Sequence, residues 1–447
     1  MLKKREKVLK YGTHKAWVVA ANMGYGHQRA AYPLKDIAYE RVINANSGKM
    51  VTPKEKKQWK KFRRYYEGVS RFRSVPVLGP IVWSIYDYFQ GISPYYPFRD
   101  LSRPTYVSIY MHRLIKKGFL RSVTDYAHKQ PHIPFISTFF ATAIAAAHAG
   151  YKHVYCVVTD TDINRIWVPE KPKDEHLYYL TPTEHSTKRL MEYGVPKEHI
   201  FFTGFPLPKE NTGKRMQVAM RDLGYRLPNL DPQKVYRNRY KDTLKKFLGK
   251  DYRNRSNHPL TVTFVVGGAG AQKEIGASLI RSFAKKLKAG EINLNLMAGI
   301  RLDEAKYFSD IAEKEGLGKV MGKSLHILSE LDKKSYFAAF SEILHTTDIL
   351  WTKPSELSFY TALGLPIIIA PPLGAHEELN AQWLIRMGAG FRQEDPNYAD
   401  EWLFEWLDKG VLAESAWEGF TEAPKYGTYN IENIVFSKNK RSVKLKY

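Results

Sequence analysis

The chain has 447 residues, 44% of them apolar, and carries 69 Lys and Arg against 45 Asp and Glu, a formal charge of +24. At roughly 100–200 residues per domain, that length implies two cores rather than one. The positive excess favours polyanionic partners, with nucleic acid and an anionic membrane surface both in range, whereas a single cysteine, Cys156, excludes an internal disulfide and suits a reducing compartment. No apolar run reaches the roughly 18 residues of a membrane span, and the basic start MLKKREKVLK turns polar where a signal-peptide core would follow. The expectation is a cytoplasmic chain.

Residues 15–21 (KAWVVAA) have the unbroken apolar pattern of a buried strand. They end in Asn22-Met23-Gly24-Tyr25-Gly26-His27 and a helical stretch over 28–41. A strand, a glycine turn and a helix start offer free backbone N–H groups to an anion, and His27 stands there as a candidate proton acceptor. The dinucleotide fingerprint G-x-G-x-x-G fails at Arg29. Residues 54–73 hold nine basic and two acidic side chains, and the stretch to Phe98 is dense in aromatics, Trp83 and Tyr86 among them. Rings interleaved with cations suit a membrane interface or single-stranded RNA; a solvated basic helix with a self-packed loop is the plainer alternative.

After Pro134, a short strand, an Ala-rich helix over 139–149 and a second strand over 153–159 continue the β-α alternation. Asp160-Thr161-Asp162 spells D-x-D, a pattern known from metal sites but a three-residue match that arises easily by chance. Asp160, at a strand end, is a candidate for orienting an acceptor or relaying a proton, with a structural cap as the alternative. Thr183 and Glu184 cap a helix, and Gly204 with Pro206 breaks a strand. Residues 207–258 read as a linker with a basic insertion, nine basic and two acidic residues over 234–255, its charge solvated.

The strand 260–266 (LTVTFVV) ends in Gly267-Gly268-Ala269-Gly270-Ala271-Gln272, again an anion cradle. A second pair follows over 293–299 and 303–314, with Arg301 just past the strand. Apolar runs at 348–351 and 366–371 flank a helical pattern in which Leu357, Tyr360, Thr361 and Leu363 face a sheet. Polar residues gather at both carboxyl ends of this βαβ unit, Thr352, Lys353, Ser355 and Glu356 after the first strand and His376, Glu377, Glu378 and Asn380 after the second, where open α/β sheets bind ligands.

These motifs resemble a known family. The Met23–Ala31 corner is similar to G-x-G-H-x-x-A-A, with Tyr25 in place of a usual glycine. The tract from Val157-Val158-Thr159-Asp160 to Thr203-Gly204-Phe205-Pro206, the glycine loop at 267–272, and Pro354-Ser355-Glu356, Gly364-Leu365-Pro366 and His376-Glu377-Glu378-Leu379-Asn380 follow in the family order. The chain thus resembles the GT-B glycosyltransferases related to monogalactosyldiacylglycerol synthase, processive diacylglycerol glucosyltransferase and the lipid-linked N-acetylglucosaminyltransferase of peptidoglycan synthesis.

The resemblance implies an α/β fold of two Rossmann-like domains facing across a cleft. Residues 1–206 would form the acceptor and membrane-facing domain, 207–258 the linker, 259–426 the nucleotide-sugar domain and 427–447 a segment returning to the first domain. Catalysis would fall to His27, aided by Asp160. The donor, a nucleotide diphosphate sugar expected in its UDP form and without metal or other cofactor, would be held by Gly267, Gly268, Gly270, Ala271, Gln272, Arg301, Lys353, Ser355, Glu356, His376, Glu377, Glu378 and Asn380, with 325–328 receiving the base. Gly24, Gly26, Trp83 and Tyr86 would meet a lipid acceptor such as diacylglycerol at a peripheral, anionic membrane surface, which is favoured over nucleic acid. One departure stands out: relatives carry a ribose-binding acid five residues before the Gly-Leu-Pro glycine, where this chain has Phe359, with Glu356 three residues earlier as the candidate replacement. The alternatives are a UDP-sugar epimerase of the same fold and a catalytically silent scaffold.

Overall fold

Apolar runs too short for buried helices and bounded by glycine or polar turns become strands here, and they gather into two all-parallel sheets. The computed structural model describes residues 14–48, 50–61, 91–174, 176–267, 270 and 272–446. The first sheet contains β1 (Trp17–Ala20), β2 (Ile43–Asn44), β3 (Phe135–Ser137), β4 (Val154–Val157), β5 (Leu177–Thr181) and β6 (Ile200–Phe202), in the order β2-β1-β3-β4-β5-β6. The second contains β7 (Leu260–Val265), β8 (Ile292–Gly299), β9 (Leu325–Ser329), β10 (Ile349–Thr352), β11 (Ile367–Ile369) and β12 (Gly390–Arg392), in the order β12-β11-β10-β7-β8-β9. β1, β3, β4, β10 and β11 are buried along their whole length, as parallel strands covered on both faces must be.

Each sheet reverses its strand order once, between β1 and β3 in the first and between β7 and β10 in the second. Crevices open at such reversals beyond the carboxyl ends of the strands. The first glycine corner follows β1 and the second follows β7, so both lie at a reversal. The two Rossmann-like units expected from the sequence are present.

Two segments differ from expectation. Residues 207–258 are not a solvated linker: the helices Lys209–Thr212, Gln217–Leu230, Val235–Arg239 and Lys241–Leu248 pack Leu223, Leu227, Leu230, Leu244 and Leu248 into the core of the second sheet. Fully buried Arg226 donates to the carbonyls of Leu344, Thr347, Leu363 and Gly364, filling acceptors that two helix ends leave open. The segment Glu356–Leu363, expected to be a helix with Leu357, Tyr360, Thr361 and Leu363 facing a sheet, is a 3-10 helix buried at all eight residues. The helix Val411–Glu422 covers its outer side, and a side chain at Gly419 would strike Thr361.

The helix Gly427–Phe436 lies against the first sheet, where Ile431, Ile434 and Val435 share a core with Val18, Ile136, Val157 and Leu180. The chain therefore crosses between the units twice. The crossings touch: Asn430 Nδ2 donates to Thr203 O at 2.9 Å, and a Cβ on Gly427 would fall 2.0 Å from Phe205 O.

Candidate functional site

At the first reversal, the corner after β1 feeds the helix Gly26–Ala31, which carries His27. His27 Nδ1 lies 2.6 Å from Thr138 O just past β3, and Thr138 Oγ1 donates back to His27 O at 2.6 Å. A carbonyl can only accept, so Nδ1 holds the proton and Nε2 is the basic nitrogen. Burial lowers the pKa of His27, opposed by the Asp160 carboxylate, the Thr138 hydrogen bond and Glu356. Phe139 meets the ring edge-on at 5.0 Å. The geometry supplies a neutral, oriented imidazole.

Asp160 follows β4 and accepts from Asn380 Nδ2 at 3.2 Å, a bond that joins the two units. Asn380 also donates to Pro354 O at 3.1 Å, while its Oδ1 accepts from Thr161 N at 2.9 Å and Thr161 Oγ1 at 2.8 Å. Both of its N–H groups and its carbonyl are thus engaged, and the residue is 0% exposed. Expected to hold a donor sugar, Asn380 instead pins the 160–161 loop to the second unit. Asp162 is likewise engaged, accepting two bonds from Arg189 and one from His185.

Three further ties cross the cleft. Arg29 Nε pairs with Glu356 Oε1 at 3.0 Å, Tyr25 Oη accepts from Ile300 N at 3.1 Å, and Lys333 Nζ donates to Asn22 Oδ1 at 2.6 Å and Gly24 O at 3.2 Å. Glu356, the candidate replacement ribose acid, is an inter-unit bridge in this structure. Phe359 stacks on Phe205 at 4.7 Å and lies 5.2 Å from Trp383, filling the seam where the chain crosses.

In the second unit, Lys353 after β10 forms an ion pair with Glu377, whose Oε2 accepts from Leu373 N at 2.7 Å. Burial opposes ionisation of Glu377, but Lys353, His376 and the Leu373 N–H outweigh it and hold the carboxyl below its usual range. Gln272 Nε2 donates to Pro371 O at 2.6 Å, bracing the loop after β7 against the loop after β11. Gly270 has φ +73°, and a Cβ there would meet Glu304 Oε1 at 2.2 Å and Arg301 Nη1 at 3.3 Å. The positive φ favours glycine, and the Glu304 carboxylate and the Arg301 guanidinium both lie beside it.

Residues 233–430 match the family model described as "Domain of unknown function (DUF6938)". A processive diacylglycerol beta-glucosyltransferase from Bacillus cereus (strain 03BB102) is 25% identical over 238 residues, 53% of this chain and 49% of that enzyme, so the match spans about half the relative's length. Among solved structures, the Staphylococcus aureus MnaA–UDP complex covers 94% of this chain and 95% of its own at 10% identity and a TM-score of 0.46. MurG from Acinetobacter baumannii covers 75% and 82% at 12% identity and a TM-score of 0.40. The two parallel six-stranded sheets give the chain two Rossmann-like units.

In this frame, Asp160, Glu356 and His376 come within electrostatic reach of His27, while Glu377 joins Lys353. Glu378 does not enter that group: it pairs with Arg392 at the end of β12 at 2.6 Å. Ser355 precedes the buried 3-10 helix, Gly267 follows β7, and Gly26 packs against Glu356. Trp83, Tyr86, Gly268 and Ala271 lie outside the described residues, as does most of the basic and aromatic stretch. Among the described residues, no helix is long and apolar enough to cross a membrane. Sequence reading missed Arg29, Thr138 and Lys333; Arg29 and Lys333 find their partners more than 300 positions away.

Proposed function

We propose that the protein transfers a hexosyl group, with inversion, from a UDP-sugar to a hydroxyl of a membrane lipid such as diacylglycerol. The observation that carries this reading is His27, held by Thr138 as the Nδ1–H tautomer at the reversal of the first sheet, beside Asp160 and facing the second unit. Nε2 takes the acceptor hydroxyl proton as the acceptor oxygen bonds to the anomeric carbon. The bond from that carbon to the diphosphate oxygen breaks, and UDP leaves with the electron pair. One in-line displacement inverts the carbon. The imidazolium, favoured by the Asp160 carboxylate, then returns its proton to water. Gly270 and neighbouring backbone, with Arg301, would meet the leaving diphosphate, and Lys353 and Glu377 the sugar.

The exposed rings of Tyr96, Phe98, Tyr106 and Tyr110 on the first unit support approach to a lipid surface. The test incubates the protein with UDP-sugars and diacylglycerol vesicles, beside the His27→Ala variant. Transfer should fall by about 100-fold or more in the variant while UDP affinity stays within about threefold. Epimerisation of the UDP-sugar without acceptor, or undiminished transfer by the variant, would overturn the reading.

A further inference from the structure

The short helix that carries His27 is gripped from both sides. Thr138 holds it to the first unit, and Arg29, two residues on, enters the second. The Arg29 guanidinium lies over the rings of Phe340 at 4.4 Å, Phe337 at 5.1 Å and Tyr336 at 5.6 Å, and ends on Glu356. Arg29 is 2% and Glu356 7% exposed. The other carboxylate oxygen, Glu356 Oε2, lies 3.1 Å from where a Cβ on Gly26 would stand, so the carboxylate abuts the residue just before His27.

A buried ion pair is a poor device for stability alone, because desolvating both charges offsets most of their attraction. What it supplies is a fixed geometry: the guanidinium fork and the carboxylate tolerate little displacement. Resting on the transfer reading above, we propose that Arg29 and Glu356 are positioning residues, whose ion pair sets the His27 helix at a fixed distance from the donor-binding unit. Glu356 starts the segment that follows β10, where Lys353 also stands. The pair therefore joins base and donor site without touching substrate. Misplacing a reacting group by about 1 Å costs on the order of 100-fold in rate, which gives the pair its scale of effect.

The experiment uses the full chain and the variants Arg29→Met, Arg29→Lys, Glu356→Gln and the double Arg29→Met/Glu356→Gln. Four quantities are read: melting midpoint, UDP affinity, kcat and KM for the UDP-sugar, and the NMR titration of His27 without substrate. Each neutralising single variant should keep UDP affinity within about threefold and lose roughly 10- to 100-fold in kcat, with KM little changed. Arg29→Lys should recover part of the loss, and the double variant should be less impaired than the two losses multiplied.

Charged and titratable groups facing His27 come from every neighbouring element: Asp160 after β4, Glu356 after β10, His376 on the helix Ala375–Arg386, and Arg29 on its own helix. Glu356→Gln removes an anion and leaves Arg29, so the His27 titration should move down; in Arg29→Met it should move in the opposite sense. A folded variant pair with wild-type kcat and an unmoved His27 titration overturns the proposal. Should Arg29→Met not fold, Arg29→Lys and Glu356→Gln carry the same comparison. If the wild-type protein transfers no sugar, the function reading fails separately, and the substrate-free His27 titration still decides whether the pair positions that side chain.

Discussion

The two glycine corners occupy equivalent places, each at the carboxyl end of a strand beside a reversal of its sheet, yet they are held differently. The corner after β1 is held from across the cleft: Lys333 binds Asn22 and Gly24, Tyr25 reaches Ile300, and Glu356 abuts Gly26. The corner after β7 is braced within its own unit, by Gln272 on Pro371 and by Gly270 against Glu304. Among the described residues, the first corner is thus tied both within its own unit, through Thr138 and Asn46, and across the cleft, whereas Gln272 and Gly270 of the second meet only their own unit.

Breaking the chemistry of the first corner should give the largest effect. His27→Ala should lower transfer by about 100-fold or more, close to 2.7 kcal/mol of transition-state stabilisation, with UDP affinity retained because the second corner is untouched. Loss of UDP binding in that variant would show that the corners are not independent.

Next comes the pin between the units. Asn380→Ala leaves the Thr161 N–H and hydroxyl without their acceptor in a buried place, at a cost of about 1–3 kcal/mol in urea unfolding. Asp160 also loses its amide donor, so kcat should fall as well. A variant as stable as the wild type would mean that the 160–161 loop stands without the second unit.

Asp160→Asn sharpens the comparison through pH. His27 must be neutral to accept a proton, and burial already lowers its pKa against the pull of Asp160. Removing that anion disfavours the imidazolium further, so the acid limb of the kcat–pH profile should move to lower pH. A limb that moves upward, or stays in place, removes Asp160 from the field of the base.

How much of this was legible in the sequence follows from distance along the chain. Buried strands announce themselves as unbroken apolar runs, and glycine corners as local spacing, so both units and the place of His27 could be read directly. The packing helices over 207–258 were legible too, since Leu223, Leu227 and Leu230 stand at helical spacing, but the surrounding Lys and Arg suggested a solvated linker. The inter-unit ties were not legible. Arg29 with Glu356 and Thr161 with Asn380 are 327 and 219 positions apart, and local pattern carries no information on such pairs. Hence Asn380 and Glu356, expected to hold a donor, are found bonded to groups of the first unit.

The smallest effect tests Tyr25, the ring that stands between Gly24 and Gly26. Its ring packs against Tyr336 at 5.2 Å and under the Lys333 ammonium at 4.9 Å, and its hydroxyl accepts from Ile300 N. Tyr25→Phe keeps the ring contacts and loses one hydrogen bond, so it should cost only about 0.5–1.5 kcal/mol in unfolding. Tyr25→Gly removes the ring as well, and should weaken the first corner more than it weakens UDP binding at the second. Equal losses at both corners would mean that the strut supports the whole cleft. A loss confined to kcat would place Tyr25 with the ties that seat His27, and would explain why a bulky ring stands in a glycine turn: it spans the gap to Gly299, where a Cβ would meet the tyrosine oxygen at 2.3 Å.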